Sequence, residues 1–237
     1  MSSLNGNFNE ILNSKTLAEE YGDSAIMKSI VQLFPGGSIV DTALSVNGNK
    51  IKDVRIRKLF IFIKEAIDKL DREKISIEWI ESVEFYDILQ AAILSSANTR
   101  SEEKIKVNAM ILTNVISGGE NDKNYRPEEY LSALSDLTPL ECKVLFTFNK
   151  RFQKISDSSG TELKKAKEMK WKEAIIEECK IDLEDVSFIM KRLERSGFVK
   201  EITGTYLSYI GGEYTQTEAM SKFIEYLSMN PLYSTEN

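Results

Sequence analysis

The stretch at residues 171–219 constrains the fold of this chain most, because it predicts several kinds of local structure in a fixed order. Residues 171–181 (WKEAIIEECKI) predict a short helix, and after a turn Asp182 is placed to cap a second helix. Arg195 lies in the last turn of that helix, and Gly197 stops it. The β-branched and aromatic residues that follow, separated by glycines, predict short strands.

The second helix has two distinct faces. Its apolar residues recur at i, i+3, i+4 and i+7 and predict one buried stripe: Val186, Ile189, Met190 and Leu193. At about 100° per residue the opposite face holds another set: Glu184, Phe188, Lys191 and Arg195, with Arg192 at its margin. With these features residues 138–237 resemble a winged helix-turn-helix with a β-hairpin wing and a basic insertion at 154–172. In a DNA-reading member of that class, the outward face would lie in the major groove.

The charges of this face fit DNA poorly. Asp182, Glu184 and Asp185 stand where a recognition helix approaches phosphates, and residues 201–213 contain no Lys or Arg. Phe188 lies near the centre of the face, as the apolar anchors of protein interfaces do. We therefore expect a non-catalytic binding or regulatory protein whose winged helix contacts a protein partner, a second copy or its own N-terminal half. The expected partner-binding residues are Glu184, Phe188, Lys191, Arg192 and Arg195.

The alternative is a DNA-binding transcriptional regulator that uses the basic insertion. Residues 150–172 carry eight basic against three acidic side chains, a local charge of +5. In this alternative the phosphate contacts come from five lysines: Lys164, Lys165, Lys167, Lys170 and Lys172.

The amino-acid composition excludes several classes of function. The chain of 237 residues has a net charge of −6, which removes the usual electrostatic attraction to nucleic acid. It contains no histidine, which excludes Ser-His-Asp and Cys-His catalysis and His-bearing metal sites. We expect Cys142 and Cys179 to be buried thiols rather than a disulfide. A carboxylate-only metal enzyme using Glu102 and Glu103 remains the weakest alternative. We predict no enzyme activity, no cofactor, no small-molecule substrate, no membrane span and a cytoplasmic location.

Residues 1–137 predict a helical bundle. A long helix is expected over 50–70, with Ile51 and Val54 on its buried face. A further helix over 80–95 is expected to bury Val83. The basic opening of the first of these helices is interpreted as a solvated rim, with a membrane-surface helix as the alternative: Lys50, Lys52, Arg55, Arg57 and Lys58. Two capping boxes are predicted: Thr99 with Glu102, and Thr138 with Glu141.

The segments FPGGSIVDTALSVNGNKIKDVRIRKLFIFI, TRSEEKIKVNAMILTNVI and LSDLTPLE, within residues 34–141, resemble helical bacterial proteins of the abortive-infection alpha type. The resemblance implies a bacterial protein with a role in defence against phage. The matching positions are caps, corners and core residues, so no catalytic residue is carried over. The expected fold class is mainly α: an N-terminal helical bundle followed by a winged helix-turn-helix with a small β-hairpin wing.

Overall fold

The fold is mainly α-helical with one small antiparallel sheet, which confirms the predicted fold class. A computed structural model describes Leu17, Glu19 and residues 25–33, 46–71, 75, 77–118, 125–153, 170–203 and 211–233. The helices of unit 1, defined below, are α1 (Ala25–Gln32), α2 (Val46–Ile67), α3 (Ile77–Ile80), α4 (Val83–Ala97) and α5 (Glu102–Gly118). The later elements are α6 (Pro127–Asp136), α7 (Pro139–Gln153), α8 (Trp171–Cys179), α9 (Leu183–Arg195), β1 (Val199–Glu201), β2 (Tyr214–Gln216) and α10 (Glu218–Ser228).

Packing divides the chain into two compact units. Unit 1 comprises Met1–Ser132 and Tyr226–Tyr233, and the described part of unit 2 lies within Ala133–Glu225. The sequence predicts a boundary after residue 137. Most of the predicted basic insertion lies outside the described residues, which resume at Lys170.

The core of unit 1 is built around α5, which packs against α2 and α4. Its apolar side chains Ile105, Ala109, Leu112 and Ile116 are buried. Its polar side chain Asn108 is fully buried as well, and its Nδ2 donates to the Oγ atoms of two serines of α4 at 3.0 and 2.9 Å. Hydrogen bonding of this kind offsets the cost of burying an amide.

Residues 226–233 are held in unit 1 by a buried polar network. The Asn230 side chain donates to Thr113 Oγ1 at 2.6 Å and to Asn114 Oδ1 at 2.8 Å. The Asn114 amide donates to the carbonyl of Tyr226 at 2.5 Å, and the Tyr226 hydroxyl donates to the carbonyl of Ile111 at 3.2 Å. This segment therefore supplies hydrogen bonds that α5 needs for its own buried polar groups.

Three expectations for unit 1 are wrong. Helix α2 begins at Val46, before the predicted start at residue 50, and its residues Ile51 and Val54 are 53% and 38% exposed. Val83, expected to be buried, is exposed because it is the first residue of α4. Periodicity finds the apolar side of a helix, but it does not show where along the helix a packing partner ends.

The two predicted capping boxes have different outcomes. The box at Thr138 is confirmed: its N–H donates to Glu141 Oε2 at 2.6 Å, and its Oγ1 accepts from the Glu141 N–H at 3.2 Å. The box at Thr99 is wrong, because Ser101 takes the cap position of α5 and accepts from the Lys104 N–H at 3.2 Å. Glu102 instead forms an ion pair with Lys58.

Unit 2 packs α8 against α7, with α9 and the hairpin beside them. Trp171 is buried and meets Phe148 and Tyr214 edge to face, with ring centroids 5.5 and 5.9 Å apart. Such edge-to-face pairs add to the energy of burying the rings. The hairpin is antiparallel, with Val199 opposite Gln216.

Candidate partner-binding surface

Helix α9 has the two faces that its sequence predicts. Its four predicted stripe residues are all buried, which fixes the rotation of the helix against α7, α8 and β1. Asp182 holds the predicted N-cap position in extended backbone, but among the described residues its side chain makes no capping hydrogen bond. The predicted stop at Gly197 is confirmed, because this residue adopts φ +81°, a left-handed conformation that favours glycine.

The opposite side of α9, here called the α9 face, comprises five residues: Glu184, Phe188, Lys191, Arg192 and Arg195. Leu183, the first residue of the helix, lies beside the buried stripe and is not part of this face. Phe188 is 63% exposed and Leu183 is 56% exposed. The Arg192 guanidinium carbon lies 5.9 Å from the centroid of the Phe188 ring, within range of a cation–π contact. Glu184 and Arg195 are exposed on the same helix. The sequence-predicted partner residues thus lie together, with an aromatic ring among them.

Two cations of the α9 face, Arg192 and Lys191, are already paired inside unit 2. Arg192 Nε bonds the carboxylate of Glu141, the buried residue that also closes the capping box at the start of α7. Lys191 Nζ bonds Glu194 at 3.1 Å and also bonds Glu201 of β1. These two bridges tie α9 to α7 and to the hairpin, so the cations serve the fold as well as the surface.

The ion pair between α9 and the hairpin shifts the pKa values of both of its side chains. The hydrogen bond from Lys191, followed by the N–H of Gly212 at 2.7 Å, lowers the pKa of Glu201 below its ordinary value of 4.5. The same bond, with that to Glu194, raises the pKa of Lys191 above its ordinary value of 10.5. Both groups are therefore charged across the neutral range, and neither is suited to proton transfer near pH 7.

The first turn of α9 is acidic. Asp182, Glu184 and Asp185 are all exposed, and none forms an ion pair with another described residue. Carboxylates are favourable at a helix N-terminus because they complement its dipole. The same charges repel phosphates, so this end of the helix fits nucleic acid poorly.

The lysines of the DNA-binding alternative are only partly described. Lys164, Lys165 and Lys167 lie outside the described residues. Lys170 is exposed directly before α8. Lys172 bonds Glu213 at 2.7 Å and lies 5.1 Å from the Trp171 ring centroid. Its charge is thus balanced by a carboxylate within unit 2.

Sequence reasoning missed the partners of these cations. The bridge from Arg192 to Glu141 spans 51 residues, and that from Lys172 to Glu213 spans 41. Nothing in local spacing signals such pairs. Leu183 could not have been found either, because at about 100° per residue it lies roughly 20° from Met190 and so falls beside the buried stripe, yet as the first residue of α9 it is exposed.

The described residues contain no cluster that marks a metal site. Among them there is no group of three or more Cys, Asp or Glu side chains that could hold a metal ion. The two cysteines are free, as expected, but only Cys142 is buried, and Cys179 is half-buried. Partial burial still raises the pKa of Cys179, which lowers its reactivity as a thiolate. No helix in the described part of the chain has the length and apolar character needed to cross a membrane.

Comparison of the chain with protein-family models, with curated proteins and with solved structures finds no match.

Proposed function

We propose that this chain is a non-catalytic binding or regulatory protein that captures a protein partner through the α9 face, with Phe188 as the anchor. One observation carries the proposal: an aromatic ring that is 63% exposed lies beside Arg192 and shares a helix face with Lys191, and the charges of both cations are balanced within unit 2. An exposed ring gains free energy when a partner buries it. Paired neighbours can be covered without leaving an isolated charge in the interface.

The arrangement supports protein over DNA as the partner. Duplex binding draws its free energy from cations that neutralise phosphates. On the α9 face Lys191 and Arg192 already bond carboxylates, and Arg195 is the one cation there that has no ion-pair partner among the described residues. The acidic first turn opposes phosphates further. A DNA-binding regulator remains the second candidate, because Lys164, Lys165 and Lys167 lie outside the described residues.

A photo-crosslinking phenylalanine analogue at position 188 tests the proposal directly. We expect a discrete adduct on irradiation in cells, and mass spectrometry of the joined peptides identifies its source. A peptide from another protein or from a second copy supports capture of a partner, whereas a peptide from residues 1–137 assigns the contact to the chain's own N-terminal half. The matched control carries the analogue at Val83, which is also exposed on a helix.

Two results would contradict capture of a partner protein. The first is an adduct pattern at position 188 that is indistinguishable from that at position 83. The second is crosslinking to duplex DNA at position 188, which would favour the regulator. Because residues 34–141 resemble abortive-infection proteins, we propose phage infection as the condition under which the crosslinking is repeated.

A further inference from the structure

Unit 1 contains a groove that the proposed function does not use. It lies between α2 and the start of α5 and has a volume of about 370 Å³. Helix α2 contributes Lys50, Ile51, Val54, Arg55 and Lys58. These residues stand at i, i+1, i+4, i+5 and i+8 and so lie along one side of the helix. The start of α5 contributes the rest of the lining. We call this the α2–α5 groove.

The floor of the groove is aliphatic. It consists of Ile51 and Val54, which are exposed although periodicity predicts their burial, and of Ile105, which is buried. A single exposed aliphatic residue needs no explanation. Two of them one turn apart, in a recess with a third, form a surface that can bury the apolar side chain of a ligand.

The rim of the groove is basic. Four cations line it against one carboxylate, a net +3 in a chain whose net charge is −6. Two of the cations have structural partners: Arg55 donates to the carbonyl of Ala97 at 2.9 Å, and Lys58 bonds Glu102. Lys50 and Arg100 are exposed and have no ion-pair partner among the described residues. The groove therefore attracts anions.

We infer that the α2–α5 groove binds an acidic peptide segment of a partner protein, one that alternates carboxylates with aliphatic side chains. The aliphatic side chains enter the floor, and the carboxylates bond Lys50 and Arg100. Complementary charge of this kind gives specificity and speeds association. Lys58 provides a third contact when the incoming carboxylate replaces Glu102, since that pair is solvent-exposed and therefore weak.

Other anionic partners fit this groove less well. A duplex site depends on cations that reach several phosphates, and only two of the groove's cations are uncommitted. A membrane-surface helix presents a wide apolar face, whereas the exposed apolar residues that line this groove are Ile51 and Val54 among four cations.

The test measures the anisotropy of a fluorescein-labelled peptide of alternating Glu and Leu, titrated with the full chain at low and physiological salt. The matched peptide replaces every Glu by Gln. We expect the acidic peptide to bind at least about tenfold more tightly than the amide peptide, by an amount that shrinks with salt.

Variants locate the binding. Lys50→Glu combined with Arg100→Glu is expected to weaken acidic-peptide binding at least about tenfold, because repulsion replaces both contacts. Lys28→Glu combined with Lys69→Glu makes the same change of charge on exposed lysines of unit 1 that do not line the groove, and leaves binding unchanged. Ile51→Ser keeps every charge and is expected to weaken binding through the floor.

Three outcomes would overturn the inference. Equal binding of the acidic and amide peptides would show that the cations take no part. Equal loss in the two charge-reversal variants would show that only the net charge of the chain matters. Binding to phosphatidylserine vesicles that is lost in the groove variant, with no binding of the acidic peptide, would assign the groove to a membrane surface.

Discussion

Both units expose apolar side chains among cations, and the two surfaces differ in what those cations already bind. On the α9 face Lys191 and Arg192 bond carboxylates of their own unit, and one of these, Glu141, is buried. In the α2–α5 groove Lys50 and Arg100 have no ion pair with any described residue. Similar residue types therefore give one surface that binds mainly by burying a ring and another that binds by attracting negative charge. Intramolecular pairing, which composition does not reveal, makes the difference.

The largest effect is expected at Phe188. Phe188→Asp should weaken binding of the crosslinked partner by more than about 2 kcal/mol, or roughly thirtyfold, since aromatic anchors carry much of an interface's energy. Sedimentation velocity measures this, including self-association where the partner is a second copy. Phe188→Tyr should retain binding. The unfolding midpoint should hardly change, because the ring is exposed. A Phe188→Asp variant that also lost acidic-peptide binding would break the separation of the two surfaces.

The next largest effect is a difference in stability between two variants, each of which removes one ion pair from one of the two surfaces. Glu141→Ala removes a capping bond and the partner of Arg192, so we expect unit 2 to lose about 2 kcal/mol in its free energy of unfolding. Glu102→Ala removes an exposed partner of Lys58 and should cost about 0.5 kcal/mol in unit 1. Urea unfolding followed by tryptophan fluorescence measures both, with Trp79→Phe isolating Trp171 for unit 2. Equal losses would show that pairing does not distinguish the surfaces.

Acidic pH should make the cations of the two surfaces more alike, because a cation of the α9 face loses a carboxylate partner. The pKa of Glu201 is lower in the folded state than its ordinary value of 4.5. Its ion pair therefore stabilises the hairpin fully at pH values above 4.5, and this contribution is lost as the pH falls through the folded pKa. Lys191 then loses its Glu201 partner. We expect the Gly212 amide, which donates to Glu201 at 2.7 Å, to shift in NMR spectra at a midpoint below 4.5. A Glu201→Gln variant should lack the transition. A midpoint at or above 4.5 would contradict the bridge.

The smallest effect is a gain. Glu102→Gln removes the one carboxylate found among the described residues that line the α2–α5 groove and releases Lys58, so acidic-peptide affinity should rise about two- to threefold. Anisotropy with the Glu–Leu peptide measures it. Glu103→Gln, next in the chain and also exposed, is the control because it does not line the groove. An equal gain of affinity in both variants would show that the effect comes from the net charge of the chain and not from the groove.

Features of the structure could be predicted from the sequence when the residues that form them are close together in the chain. The stripe of α9, the stop at Gly197 and the box joining Thr138 to Glu141 were predictable because each is set by residues within a few positions of one another. Thr217 is a further cap of this local kind, since its Oγ1 accepts from the Met220 N–H at 3.2 Å. Near Thr99 the local pattern offers two hydroxyls, and Ser101 takes the cap.

Long-range features were not predictable. The second bond of Glu141 depends on tertiary packing that brings Arg192 to it across 51 residues. The exposure of Ile51 and Val54 depends on where α5 starts beside α2, which no periodicity encodes. The α9 face could be proposed from the helical wheel alone, whereas the α2–α5 groove required the coordinates of both helices.

The membership of residues 226–233 in unit 1 has a consequence for biosynthesis. Asn230 satisfies buried polar groups of α5, so this network stays incomplete until that segment has emerged from the ribosome. All of unit 2 within Ala133–Glu225 is translated first. The unit whose synthesis begins earlier therefore cannot complete its buried polar network until unit 2 within Ala133–Glu225 has been translated, and a nascent chain stalled before residue 226 would present an incomplete bundle to chaperones.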